Sequence, residues 1–249
     1  MALELNGSVG KGGTNNPDDV AAVKRRLVEL SFEFFPMNDG VGQGLVMAIR
    51  LFQSIIAGRN RLGGDGRVDV GRTTNRFLNA SNAPSWTTMP LSGAGFINFE
   101  AQDTRDMHDF GTSWLGETIQ AAGAAYERDY LSTHPEGSLL TINDVSLPEG
   151  GDTPDHAGHE TGLACDIRLP RKDGGSGGIK NPNTNSAYDR AAARAQLIAI
   201  RGQALFSRAF FNDRVLIEEG LCRWLTDHSD HVHFEIKSPL PAAIQLQEG

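Results

Sequence analysis

The sequence predicts an α+β protein: a small three-helix N-terminal domain, then a larger domain with a central, mostly antiparallel sheet flanked by helices. Three observations lead there. Apolar residues recur at helical spacing through residues 1–80. A stretch rich in Ser, Asn, Pro and Gly follows, from 81 to about 105, with no sustained period. Beyond it, short strand-like runs are interspersed with long helix-like ones without strict β-α-β alternation, which favours antiparallel pairing. At 249 residues, 39% hydrophobic and 22% charged, the chain has the composition of a protein with a real core.

The elements follow in order. Asn16-Pro17-Asp18-Asp19 is a helix start, with a cap candidate, a proline suited to the first turn and acids near the positive end of the dipole. Val20, Val23, Leu27 and Leu30 then form one apolar face. Asp39-Gly40 marks a turn before a second helix through Leu45, Ile49, Phe52 and Ile56. Asp65-Gly66 marks another before a third, short helix ending near Phe77-Leu78, and the two turn-helix units form a weak internal repeat. Residues 81–105 read as a linker or long wrapping loop, although Trp86 and Phe96-Ile97-Asn98-Phe99 argue that part of it is docked. Thr112 to about Tyr130 reads as a helix, with Leu139–Val145 and Gly162–Leu169 as strands. The Gly174–Gly178 run lacks the Lys-Ser/Thr ending of a phosphate loop and reads as a flexible flap. Tyr188–Arg201 reads as an Ala-rich helix, and Ala209–Ile217 and Val232–Ile236 as strands.

Bulk properties exclude several functions. A net charge of -8 lacks the basic footprint of a nucleic-acid binder. No run of about 18 apolar residues occurs, so no membrane insertion is expected. The Met1-Ala-Leu-Glu-Leu-Asn-Gly-Ser start has neither the basic region nor the apolar core of a secretory signal. Cys165 and Cys222 are too few for a disulfide framework; they can pair or stay free, and a packed thiol is the commoner state for Cys165.

Five of the seven histidines fall in two short clusters. The first is His156-Ala-Gly-His159-Glu-Thr-Gly-Leu-Ala-Cys-Asp166, the second His228-Ser-Asp-His231-Val-His233. Imidazole and carboxylate are good zinc ligands, and three of them leave an open fourth position, which is the catalytic count. On a strand, His231 and His233 share a face while Val232 turns to the core. Without a metal, these clusters would need a hydrogen-bonded network of several imidazoles. Glu160 lies beside His159, but no His-Glu-x-x-His motif is present, so it reads as a solvent-facing or supporting residue. Asp227 and Asp230 can orient the second cluster or be solvated turn residues. His108 and His134 stand alone and read as surface or turn residues.

These motifs carry a resemblance. His-x6-Asp followed by His-x-His resembles the LAS group of zinc peptidases. The doubled forms, His156, His159, Gly162 and Asp166 and then His228, His231 and His233, are similar to those of the penicillin-insensitive murein endopeptidases. Leu140–Leu147, Tyr188-Asp189-Arg190 and Phe210-Phe211-Asn212-Asp213 extend the likeness over about residues 107–238. Two departures stand out: Gly158 replaces a common Ser and Ala164 a second Asp, which bears on substrate contacts more than on the metal. Residues 6–80 resemble the three-helix peptidoglycan-binding module of wall hydrolases, departing from it at Phe32–Met37 and Val41–Gly44.

The resemblance implies a peptidoglycan-binding-like helical domain over 1–80, a linker over 81–105 and a zinc peptidase domain over 106–249. It implies one zinc ion held by His159, Asp166 and His233, with His231 as general base or transition-state stabiliser and His156 and His228 lining the cleft. The activity expected is hydrolysis of the D-Ala to meso-diaminopimelate cross-link of the bacterial cell wall, with stem peptides and glycan as partners. Alternatives are a D,D-carboxypeptidase, an L-Ala–D-Glu endopeptidase of phage-lysin type, or a non-catalytic wall-binding protein. Action in the periplasm or at the wall without a visible signal implies release by phage lysis or delivery by a secretion system.

Overall fold

A computed structural model describes residues 3–103, 107–153 and 158–239. The chain is mixed α+β with mostly antiparallel strands. Its first part holds β1 (Val9–Gly10), α1 (Pro17–Glu29), α2 (Gln43–Ile56), β2 (Arg67–Val68) and α3 (Thr73–Leu78). The helical spacing is realised: Val20, Val23 and Leu27 of α1 and Leu45, Ile49 and Phe52 of α2 are buried together. β1 and β2 pair antiparallel, joining the segment before α1 to the one after α2.

Residues 81–105, expected as linker or wrapping loop, instead supply β3 (Trp86–Thr88), β4 (Ser92–Gly93) and β5 (Phe96–Asn98). Their strand state comes from distant partners. β3 pairs with β6 (Phe110–Thr112), and β5 runs parallel to β7 (Leu140–Ile142). The docking expected of Trp86 is seen: its Nε1 donates to Pro148 O at 2.6 Å, its backbone N to Leu30 O at 2.9 Å, and its ring lies 6.0 Å from Phe32.

The remaining elements are α4 (Ser113–Tyr126), β8 (Ala164–Arg168), α5 (Arg190–Arg201), β9 (Phe206–Phe210), α6 (Arg214–Glu218) and β10 (His231–Ile236). The helix expected from Thr112 to about Tyr130 is α-helical to Tyr126 and continues as one π turn over Glu127–Leu131. The Ala209–Ile217 strand expectation holds only at Ala209 and Phe210, the end of β9, and fails beyond them. Asp213 accepts hydrogen bonds from Val215 N at 2.9 Å and Leu216 N at 3.3 Å, so it caps α6 and ends the extended run. His108, expected at the surface, is buried, while His134 sits in an exposed turn with its ring 4.2 Å from that of Tyr130. Cys165 and Cys222 are both free and buried. Among the described residues, no helix is long and apolar enough to cross a membrane.

Six strands form the main sheet in the order β4-β5-β7-β8-β10-β9, all antiparallel except β5 with β7. Side chains alternate between its faces. Phe96, Leu140, Ile142, Ile167, Val232 and Phe234 are buried on one face. α4 and α5 pack against each other, α4 touching β5 and α5 touching β9. The other face carries the polar chemistry.

One glycine secures the loop that leads into β8. Gly162 has φ +61°, its carbonyl accepts from Thr112 N and Thr112 Oγ1 at 3.1 Å each, and a Cβ there would lie 2.8 Å from the Trp86 ring and press on Gly111. Gly162→Ala is expected to cost about 2–4 kcal/mol through left-handed strain and overpacking. Thermal unfolding checks this; an unchanged midpoint would contradict it.

Candidate metal centre

β8 and β10 build the site by register. Asp166 lies directly opposite His233 and Arg168 opposite His231. The two-residue period then sets all four side chains on the polar face, while Cys165, Ile167, Val232 and Phe234 turn inward. His159 arrives from the loop before β8 and is held from three directions. Its Nδ1 donates to Val145 O at 2.7 Å. Next to it, Glu160 accepts from Leu62 N at 2.7 Å, and Thr161 Oγ1 donates to Arg59 O at 2.7 Å. The segment between α2 and β2 therefore clamps the loop. Glu160 supports that loop, which spacing alone could not show because Leu62 is far away in the chain.

Three buried atoms converge. His233 Nδ1 is 2.9 Å from Asp166 Oδ1, His159 Nε2 is 3.3 Å from the same oxygen, and the two nitrogens are 3.1 Å apart. Ligands on a tetrahedral zinc at 2.0–2.1 Å stand about 3.3 Å from one another, so the triangle is close to one tetrahedral face.

Donor chemistry tests the fit. The other nitrogen of each ring meets a group that can only accept: Val145 O for His159, and Glu235 Oε1 at 3.4 Å for His233. Glu235 is itself paired with Arg208. In the neutral rings the lone pairs of His159 Nε2 and His233 Nδ1 thus both face the Asp166 carboxylate. Such a set repels itself unless a cation sits among its members, either a proton or a metal ion. The residues fit a metal, with each ring oriented by its outer partner. Without one, burial pulls the His233 imidazolium down, but hydrogen bonds to Asp166 and Glu235 outweigh it and it is pushed up to about 9. Burial would raise Asp166, yet the imidazoles of His159, His233 and His231 hold it well below the usual carboxylate range.

His231 flanks the triangle. Its Nδ1 donates to Asp230 at 2.8 Å, and its Nε2 points inward, 3.6 Å from Asp166 Oδ2. Asp230 is thereby an orienting partner, whereas Asp227 is an exposed turn residue with φ 65°. His228 lies beside the site, its ring 4.9 Å from that of His231 and its Nδ1 donating to Thr226 O at 2.7 Å. Burial and the neighbouring imidazoles pull its imidazolium down. His156 lies outside the described residues.

Sequence reasoning missed several contributors: the Val145 carbonyl, Glu235 and the Arg59–Leu62 clamp. Glu235 alone had a signal, since it lies two residues past His233 on the same strand face. Neither a scan against protein-family models nor a search of curated proteins returns a match for this chain.

Proposed function

We propose that this chain is a zinc-dependent peptidoglycan endopeptidase that hydrolyses the D-Ala to meso-diaminopimelate cross-link. The observation that carries the hydrolase reading is the buried His159–Asp166–His233 triangle with the inward-facing Nε2 of His231 beside it. The choice of bond and of cell-wall substrate rests on the likeness of the two histidine motifs to murein endopeptidases. On this reading the helices of residues 1–80 hold the enzyme on the wall, which raises its local substrate concentration.

His159, Asp166 and His233 would hold the ion, offering two neutral nitrogens and one anionic oxygen. When bound, zinc supplies Lewis acidity, polarising a carbonyl and bringing the pKa of water to about 7. The protein's own groups do the rest. With its Nδ1 proton engaged by Asp230, neutral His231 has a free lone pair on Nε2, which takes a proton from the attacking water and returns it to the leaving amine. His228, with its Nδ1 proton given to Thr226 O, presents Nε2 as its remaining hydrogen-bonding atom. Phe210 lies 5.9 Å from His233 and supplies an apolar wall beside the site.

The test is digestion of purified sacculi and defined cross-linked muropeptides, followed by mass spectrometry. Expected is loss of cross-linked dimers, with a new D-Ala carboxyl terminus and a freed diaminopimelate amine. Chelator or His159→Ala should abolish it. Zinc-loaded protein that leaves dimers intact would overturn the reading, and cleavage elsewhere in the stem would replace the assigned bond.

A further inference from the structure

The polar face of the sheet continues past the metal centre as a row set by register. His231 is opposite Arg168, Arg168 opposite Thr141, and Thr141 opposite Ile97. This row crosses β10, β8, β7 and β5 and leads from the candidate base to a cavity of about 270 Å³ lined by Ile97, Phe99, Leu139, Thr141, Gly174 and Ser176.

Arg168 is the cation in that row, and it is held in place without its charge being answered. Its guanidinium carbon lies 3.8 Å from the centre of the Phe99 ring, a close stack. The backbone of Gly177 covers it, since a Cβ at that glycine would meet Arg168 Nε at 2.7 Å. Gly177 has φ +74° and its N donates to Leu169 O at 2.8 Å, so the Gly-rich run is fixed against the guanidinium. Arg168 Nε is buried without a hydrogen-bond partner, and no carboxylate of the described residues pairs with the group. Four other arginines on this part of the chain are each paired with a carboxylate: Arg171 with Asp173, Arg190 with Asp213, Arg194 with Glu219 and Arg208 with Glu235. A planar, immobilised and unpaired guanidinium beside a cleft has the chemistry of a carboxylate receptor.

We propose that Arg168 is a specificity-determining residue whose guanidinium receives a free carboxylate of the peptide substrate. The inference rests on the peptidase reading, because it takes the row as the floor of a substrate cleft. Phe99 follows β5, two strand spacings from Asp166 on β8, so the carboxylate is bound roughly 10 Å from the metal centre. In an extended peptide that is about three residues from the scissile amide. A stem peptide carries free carboxylates at that range. Amidation of one of them, a single-atom change in shape, removes the charge that Arg168 answers.

The experiment measures binding of a stem tetrapeptide to chelator-treated full-length protein by calorimetry, in free-acid and fully amidated forms, for the wild type and Arg168→Gln. The wild type is expected to prefer the acid by about 10- to 100-fold, the range of a charge-assisted hydrogen bond. Arg168→Gln should erase the preference by weakening the acid alone, and singly amidated peptides should place the loss on one carboxylate. Equal binding of acid and amide by the wild type, or a preference that survives Arg168→Gln, would overturn the proposal. If circular dichroism shows that variant unfolded, Arg168→Lys, which keeps charge but loses the planar fork, takes its place. About a tenfold loss of preference then supports the proposal and an unchanged preference contradicts it. Zinc-loaded turnover separates the two readings. Acid preference without cleavage removes the peptidase and leaves the subsite, while cleavage without acid preference does the reverse.

Discussion

If the proposed zinc hydrolase reading holds, Asp166→Asn is expected to leave a folded protein that binds zinc far more weakly and has lost most of its hydrolytic activity. The side chain is buried, and the amide has nearly the same volume, so packing survives. What disappears is the one anionic ligand between His159 Nε2 at 3.3 Å and His233 Nδ1 at 2.9 Å. A four-ligand zinc site is worth about 10–16 kcal/mol, so one ligand carries roughly 3–4 kcal/mol, or about 10²- to 10³-fold in affinity. Competition with a chromophoric chelator measures this. A near-native zinc affinity in Asp166→Asn would place the metal elsewhere. The same centre gives a sign for pH. His233, pushed up to about 9 without metal, carries a proton at pH 7 on the nitrogen that must bind the ion. Zinc binding therefore releases about one proton from it, and affinity rises roughly tenfold per pH unit until about pH 9. Titration in buffers of different ionisation enthalpy counts that proton.

His231→Ala is expected to do the opposite: zinc stays and turnover falls. His231 is partly exposed, and its Nε2 is 3.6 Å from Asp166 Oδ2, beside the ligand triangle and outside it. Loss of a positioned general base typically lowers rate by about 10²- to 10⁴-fold. The drop should appear in kcat, with KM and zinc content little changed, and the limb of the pH–rate profile belonging to the base should vanish. Asp230→Asn should give a smaller loss, because it only orients the ring through Nδ1. If His231→Ala loses zinc along with activity, the residue is a ligand and the division of roles is wrong.

The candidate site was far more legible than its supports. His231 and His233 are two apart on a strand, and a period of two is enough to put them on one face. Helices α1 and α2 declared themselves through starts, turns and apolar spacing inside one short window. What escaped depended on partners distant in sequence. β4 and β5 are only two and three residues long, and nothing local distinguishes them from loop until β5 pairs with β7. α6 was hidden because its apolar residues continue the run of β9, with Asp213 capping in the middle. The clamp of Glu160 on Leu62 and the row joining Arg168 to His231 are products of register and docking, which no local pattern encodes.

The decisive measurement is X-ray diffraction at the zinc absorption edge, from crystals of the protein purified with zinc. One anomalous peak is expected, about 2.0–2.2 Å from each of His159 Nε2, Asp166 Oδ1 and His233 Nδ1. A zinc-saturated crystal with no peak among those atoms, or with its peak on other residues, would contradict a metal-dependent hydrolase at this site.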